Sequence, residues 1–561
     1  MKTRIIDYFI GGIALFAFLL LFIEHGEYLL HYAKEIRIIN YVILIIFICD
    51  FLARIAFSED KWLFLKKNWL NFIVFIPLFQ FIEGIENLPS AVFIRQIVIV
   101  FILISRTKKA TNLINLLHFK PAQLMLSSFA FTIGIGTILL MLPAATISGA
   151  KTTLIDALFT ATSAACVTGL IVQDTATHFS FFGKTVILAL IQLGGLGIMT
   201  FSVSLALILK KNVDINKQVQ MQDVLDQETL ASTKDLTLFI IKMTFLIELI
   251  GAIILFFAWN NRFHDTFRTI YYAVFHSISA FCNAGFSTFS DSLMQFSTDS
   301  ITNITISLLI ILGGIGFLVI RDIFEKLRSK FILRNPRRFS LRVHTKIVLF
   351  TSILLTIAGG ILIYVFESNY SFASFSPSGK ALLSFFQSVT TRTAGFNSCN
   401  IGALAPASLL VIIILMFIGA SPGSTGGGIK TTTFFVLWSA IVSGFKKRQN
   451  VEAYRRTIPL SVVQKASNLF VFSLAILSVF TVALLYVEKK VFIDILFEAV
   501  SAFGTVGLST GITPLLTGKG KILITILMFI GRLGPLTIGY AFLTRRKQAK
   551  YFYAEERVII G

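Results

Sequence analysis

The residues of this chain best placed to do chemistry lie in four short segments: Val167-Thr168-Gly169, Asn283-Ala284-Gly285, Thr393-Ala394-Gly395 and Thr505-Val506-Gly507. Each glycine is followed by leucine or phenylalanine and stands ten residues after a phenylalanine (Phe159, Phe275, Phe385, Phe497). The glycines are spaced by 116, 110 and 112 residues. Ser163, Ser279 and Ser501 stand six residues before their glycines, and Val389 breaks the rule in the third segment. A glycine can turn the backbone through positive φ and aim carbonyl oxygens at a common axis. Such oxygens can replace the hydration shell of a cation. Unlike side chains beside like glycines fit coordination by backbone. Close helix packing is the usual reason for one glycine in a membrane helix, but it does not account for a matched phenylalanine, serine and glycine at one period.

Long apolar stretches must position these segments. A first span precedes each, near residues 122–144, 236–258, 346–366 and 467–487. A glycine-rich second span follows: LGGLGI at 193–198, LGGIGF at 312–317, FIGASPGSTGGGIKTT at 417–432 and FIGRLGPLT at 529–537. The pieces between the spans are too short to cross about 30 Å of hydrocarbon. They are expected to dip in and return, which membranes tolerate where the backbone is buried in protein or lines a cavity. The expected fold is an all-α integral membrane protein. Four pseudo-repeats of helix, re-entrant pore helix with filter loop, and helix surround one pore, over about residues 119–210, 236–325, 345–445 and 466–561. A four-helix bundle over residues 1–118, with spans starting near 6, 38, 69 and 91, is expected to precede them.

Composition agrees with lipid as the main solvent: 55% of residues are hydrophobic and the mean hydropathy is +0.81. The net charge of +21 is not spread evenly. Basic residues collect in alternate connections, among them Lys210 and Lys211, Arg321 to Arg342, and Lys446 to Arg456. That places those connections in the cytoplasm of a multi-pass protein. No aromatic and basic groove accompanies the charge, so no nucleic-acid partner is expected; the bilayer and its anionic headgroups are. The basic N-terminus leads into an apolar run without a cleavage site and reads as a retained helix. Cys49, Cys166, Cys282 and Cys399 show no metal-binding or disulfide spacing. The glycine runs follow no strand, which excludes a dinucleotide fingerprint. Gly423, Gly428 and Lys430 mimic a phosphate loop, but the lysine comes one residue late, within a membrane span.

With VTGL, NAGF, TAGF and TVGLSTG as filter loops, and FIGASPGSTGGGIKTTT and MFIGRLGPLT in the last second spans, residues 119–561 resemble the membrane subunit of the Trk/Ktr potassium-uptake systems. The C-terminal EERVIIG resembles the Ktr-type ending. The resemblance implies K⁺ as the transported ion, a homodimer, and a cytoplasmic ring of nucleotide-binding regulatory subunits. It implies the bacterial inner membrane as location. It makes Gly169, Gly285, Gly395 and Gly507 the selectivity glycines; glycine in all four loops goes with K⁺, and serine in the first goes with Na⁺. It also makes the stretch holding Gly423, Gly426, Gly427, Gly428 and Lys430 an intramembrane gating loop, and places Arg532 in the path below the filter. Runs of Gly and Ser cannot hold a straight helix, so a break there follows from the residues themselves. A mid-span arginine costs roughly 2.5–3.5 kcal/mol on insertion scales and should find a partner. Two roles are open for Arg532: a barrier in the path, or a packing salt bridge with Glu498.

Two features depart from the family. Arg392 stands three residues before its glycine, where the other loops have Cys166, Cys282 and Gly504. The N-terminal unit resembles a degenerate voltage sensor: FICDFLARI (47–55) with Asp50 and Arg54, NWLNFIVFIP (68–77) with Val74 at an acidic position, and FIRQIVIVFILISR (93–106) with only Arg95 and Arg106. Each gating charge contributes about 2.3 kcal/mol per 100 mV. Two arginines are too few for steep gating, so a structural or assembly role is expected. The function expected is K⁺ uptake through a carbonyl filter; a voltage-gated cation channel is the competing reading. For a membrane enzyme, no metal spacing, nucleophile and base pair or paired carboxylates appear near one membrane depth.

Overall fold

The computed structural model describes residues 121–149, 152–208, 231–263, 265–331, 340–448 and 450–542, together with Val42, Ile45 and Cys49. Apart from those three residues, the expected N-terminal unit lies outside the described residues, as does the EERVIIG ending.

Four times a long helix leads to a short one and then to a second span. The first set is α1 (Pro121–Leu140), α2 (Leu154–Ala165) and α3 (Phe181–Ile208). The second is α4 (Ala231–Trp259), α5 (Thr266–Phe281), α6 (Ser300–Gly314) and α7 (Phe317–Phe331). The third is α8 (Val343–Glu367), α9 (Pro377–Thr390), α10 (Pro406–Phe417) and α11 (Thr431–Phe445). After a small antiparallel hairpin, β1 (Val451–Ala453) and β2 (Arg456–Ile458), the fourth is α12 (Leu460–Glu488), α13 (Phe492–Gly504), α14 (Gly518–Leu533) and α15 (Pro535–Phe542). The hairpin is the one sheet among the described residues.

Local chemistry sets the ends of the short helices. Thr153, Asp265 and Ser376 cap α2, α5 and α9 by accepting first-turn N–H groups. Two buried carboxylates join first spans to second spans. Glu367, at the end of α8, accepts from Ala405 N (2.9 Å), and Glu488, at the end of α12, accepts from Thr517 N and Oγ1. In the second set Trp259 Nε1 donates to Thr302 Oγ1 at 2.9 Å.

All four second spans break. Gly197 interrupts α3 at φ 74°, and α6 and α7 meet at 101° around Gly316. Residues 418–430 separate α10 from α11, and Gly534, at φ 83°, separates α14 from α15.

Among the described residues three helices are long and apolar enough to cross a membrane, Thr237–Trp259, Val343–Glu367 and Leu460–Glu488, with α6 and α7 a fourth if taken as one bent span. Their outward faces are apolar: Phe245, Leu249 and Phe257 on α4, Ile353 and Ile357 on α8, Val479 and Val482 on α12 are exposed. Such stripes are stable against lipid, not water.

Packing closes the sets into a circle. Each second span lies against the short helix of the next set: α3 on α5, α6 on α9, α10 on α13, and α14 on α2. The large buried rings of the short helices, Phe159, Phe275, Phe386 and Phe497, fill these seams. Phe385, the expected match in the third set, is 40% exposed, and Phe386 is the buried ring. The third segment reaches its loop one residue sooner than the others. The carbonyls of Ser163, Ser279 and Ser501 accept from N–H groups five residues on (2.7–2.9 Å), whereas Thr390 O accepts from Ala394 N, four residues on, at 2.9 Å. Thr390, not Val389, is therefore the counterpart of the serines.

Candidate functional site

The four glycine segments share one backbone conformation. Val167, Asn283, Thr393 and Thr505 all have positive φ, between 50° and 78°, and so do Gly169, Gly285, Gly395 and Gly507, between 68° and 94°. In each segment a residue outside this region stands between the two. Three of the four first residues are not glycine or asparagine, so surrounding structure must hold them there.

The loops meet in cyclic order. A Cβ added at Gly169 would run into Ala284 O and lie 3.2 Å from Gly285 Cα. At Gly285 it would lie 2.6 Å from Ala394 O, and at Gly395 it would strike Val506 O. At Gly507 it would strike Thr168 O, which returns the sequence to the first loop. The ring of Thr168, Ala284, Ala394 and Val506 carbonyls thus lies edge to edge with the four glycines, at a distance no side chain could share.

Hydroxyls behind the loops fix them. Ser163 and Ser501 accept from Gly169 N (3.0 Å) and Gly507 N (3.1 Å). Ser279 and Thr390 instead donate to Phe286 O (2.8 Å) and Phe396 O (2.9 Å). All four side chains are fully buried.

Residues 418–430 lie directly against this ring. Gly427 N donates to Thr505 Oγ1 at 2.9 Å, and a Cβ on Gly426 would overlap Thr393 Oγ1. Thr425 and Ser421 bond through their N–H groups to Gly313 O and Gly314 O, and Phe317 N donates to Gly423 O. The loop is therefore tied to the second, third and fourth sets. Two cations bind its own carbonyls: Lys430 Nζ donates to Gly426 O at 2.6 Å, and Arg532 donates to Thr425 O. Arg532 also donates to Gly194 O in α3, so one guanidinium joins the loop to the first set.

Of the two roles open for Arg532, the salt bridge with Glu498 is not formed. Glu498 accepts from Ser509 and Thr513 hydroxyls, and the arginine is satisfied by backbone oxygens. Arg392 finds its partners in α8, donating to Ser352 O (3.1 Å), Ser352 Oγ (3.2 Å) and Thr356 Oγ1 (3.4 Å). Its charge braces the third loop from behind.

The structure adds two polar contacts. Glu248, buried within α4, accepts from Gln192 Nε2 at 3.3 Å and lies 3.8 Å from Cys282 Sγ. A mid-span carboxylate was signal enough to find it. Lys521 Nζ on α14 meets Asp156 Oδ1 on α2 at 2.6 Å. Among the described residues no group of His, Cys, Asp or Glu is placed to hold a metal ion.

Comparison with known proteins gives one consistent result. The family model described as TrkH, cation transport protein, matches residues 90–553. The chain is 38% identical over 463 residues to the Ktr system potassium uptake protein B of Bacillus subtilis, covering 81% of this chain and 100% of that protein. It is 39% identical to the Ktr system potassium uptake protein B of Vibrio alginolyticus over 442 residues, 78% of this chain and 94% of the relative. The potassium/sodium uptake protein NtpJ of Enterococcus hirae is 38% identical over 448 residues, 79% of this chain and 97% of its own. The fold resembles the crystal structure of the potassium transporter TrkH from Vibrio parahaemolyticus, with a TM-score of 0.59 at 15% identity over 95% of this chain and 98% of that one.

Proposed function

Because the chain belongs to the TrkH family of cation transport proteins, we propose that it takes up K⁺ across the bacterial inner membrane through the four-loop ring, down the ion's electrochemical gradient. The observation that carries this reading is the cyclic contact of four loops with one shared backbone conformation. Left-handed φ at the first and third residue of each segment turns successive peptide planes. Carbonyls can then replace water around a dehydrated cation. The four sets of helices act as four pseudo-repeats around one pore, and the short helices as its pore helices. Residues 167–169, 283–285, 393–395 and 505–507 form the filter.

Glycine in all four loops favours K⁺ over Na⁺. The hydroxyls of Ser163 and Ser501 hold the loops at one width, so a smaller ion cannot draw the carbonyls inward without breaking buried hydrogen bonds. Below the ring, residues 418–430 act as the gate, and Arg532 as a fixed positive charge that opposes a second cation. A negative interior drives entry by about 2.3 kcal/mol per elementary charge per 100 mV. The basic connections face the cytoplasm. There a ring of nucleotide-binding regulatory subunits would move the gate, and the working unit would be a homodimer.

The test is ⁸⁶Rb⁺ influx into liposomes holding the purified chain, with and without a regulatory ring. Selective influx, competed by K⁺ and weakly by Na⁺, is expected. Na⁺ influx as large as K⁺ influx would overturn the four-glycine reading.

A further inference from the structure

The residue next to each buried phenylalanine of the short helices is polar and at most 1% exposed: Thr160, His276, Gln387 and Glu498. In two sets this side chain reaches past the glycine and holds the chain beyond it. Glu498 uses both carboxylate oxygens. Oε1 accepts from Ser509, two residues after Gly507, and Oε2 accepts from Thr513 Oγ1 at 2.9 Å. The two hydroxyl oxygens, Thr513 Oγ1 and Ser509 Oγ, lie 2.9 Å apart, and Ser509 Oγ accepts from Gly511 N at 2.9 Å. The outgoing strand of the fourth loop is thereby tied at two points to one buried carboxyl group.

His276 does the same in the second loop. Its Nδ1 lies 2.8 Å from Tyr272 O, which can only accept, so Nδ1 carries the proton. Nε2 is then an acceptor, and it takes the hydroxyl of Ser287, two residues after Gly285, at 2.9 Å. Phe289 and Trp259 pack on the imidazole, with ring centroids at 4.6 and 5.2 Å.

The other two sets differ. Gln387 Nε2 and Asn397 Oδ1, a donor on the helix and an acceptor two residues past Gly395, are both buried without a partner. Thr160 bonds only back into its own helix, at Asp156 O, and Ile171 stands two residues after Gly169. The loops are therefore held unequally from behind, most firmly in the fourth.

We propose that Glu498 and His276 are positioning residues for ion selectivity, acting as struts that fix the outgoing halves of the fourth and second loops and with them the spacing of the carbonyl ring. The inference rests on the filter reading above. Neither side chain touches the ion; each acts through Ser509 or Ser287.

The experiment is the K⁺ to Na⁺ influx ratio of full-length protein in liposomes, for the parent, Glu498→Ala, Glu498→Gln, His276→Ala, Ser287→Ala and the pair Ser509→Ala with Thr513→Val. A fall in the ratio of about tenfold or more is expected for Glu498→Ala, which removes both hydrogen bonds of the strut. Glu498→Gln, which keeps the volume and one acceptor oxygen, should fall between Ala and the parent. The Ser509 and Thr513 pair should reproduce Glu498→Ala and add little to it, since both remove one strut. Ser287→Ala should match His276→Ala in the same way. A merely structural role would lower the yield of inserted protein and leave the ratio unmoved. An unchanged ratio in inserted Glu498→Ala, or in Glu498→Gln and the Ser509 and Thr513 pair if Glu498→Ala does not insert, would overturn the proposal. A parent that itself fails to distinguish K⁺ from Na⁺ would instead overturn the filter reading.

Discussion

A single atom decides the chemistry at each of the four glycines. Gly507 lies so near Thr168 O that a Cβ would displace the neighbouring loop. Gly507→Ser is expected to give inserted protein whose K⁺ over Na⁺ discrimination is weakened several-fold, measured by competed ⁸⁶Rb⁺ influx; unchanged selectivity would count against the filter assignment. The sequence revealed the places of these glycines because their spacing repeats. It concealed the register of the third set, because Phe385 and Phe386 are adjacent and either can be matched to the other phenylalanines. Only burial separates them. The partners of Arg532 were hidden for a different reason. They are backbone oxygens, which every residue has, whereas a search for complementary charge leads to Glu498.

Among the elements, residues 418–430 are the least like their counterparts. The breaks in α3, between α6 and α7, and between α14 and α15 each turn on a glycine, while the third second span opens into a thirteen-residue loop. Runs of glycine and serine announced that break, since no helix survives them. What the loop touches could not be read, because its contacts are N–H groups and carbonyls. Three consecutive carbonyls, those of Thr425, Gly426 and Gly427, accept from Arg532 and Lys430. Arg532→Ala removes one of these holds and the positive charge together. It is expected to raise basal flux in the absence of a regulatory partner. A fall to zero in properly inserted protein would remove the barrier role.

At the scale of the whole molecule, the circle must close between the last set and the first. The pair that marks this closure, Lys521 with Asp156, joins residues 365 positions apart, and no local pattern could pair them. The side chains are 15% and 10% exposed, so the pair is poorly screened. Removing one partner strands the other in a nearly buried site. Asp156→Ala should therefore destabilise the protein by on the order of 3 kcal/mol, read as a lower unfolding temperature in detergent. The exchange Asp156→Lys with Lys521→Asp should recover part of the loss, and a stability equal to the parent's in Asp156→Ala would show that the seam closes by apolar packing alone. The helical class and the first spans were legible at this scale from hydropathy. The circular order was not, because seams such as α14 on α2 join surfaces far apart in the chain.

The loop under the ring belongs to one quadrant only, although it is tied to three. A pore lined by four identical subunits narrows like an iris, with four equal parts moving together. On the reading proposed above, the obstruction would be a door hung on α10 and α11 and held across the opening by Arg532 and by bonds to α6, α7 and Thr505. A door needs no concerted motion of the frame. If the loop is the proposed gate, it can swing only once its bonds to Thr505, Gly313 and Gly314 are released, and a partner that pulls on one face of the protein would have to break them.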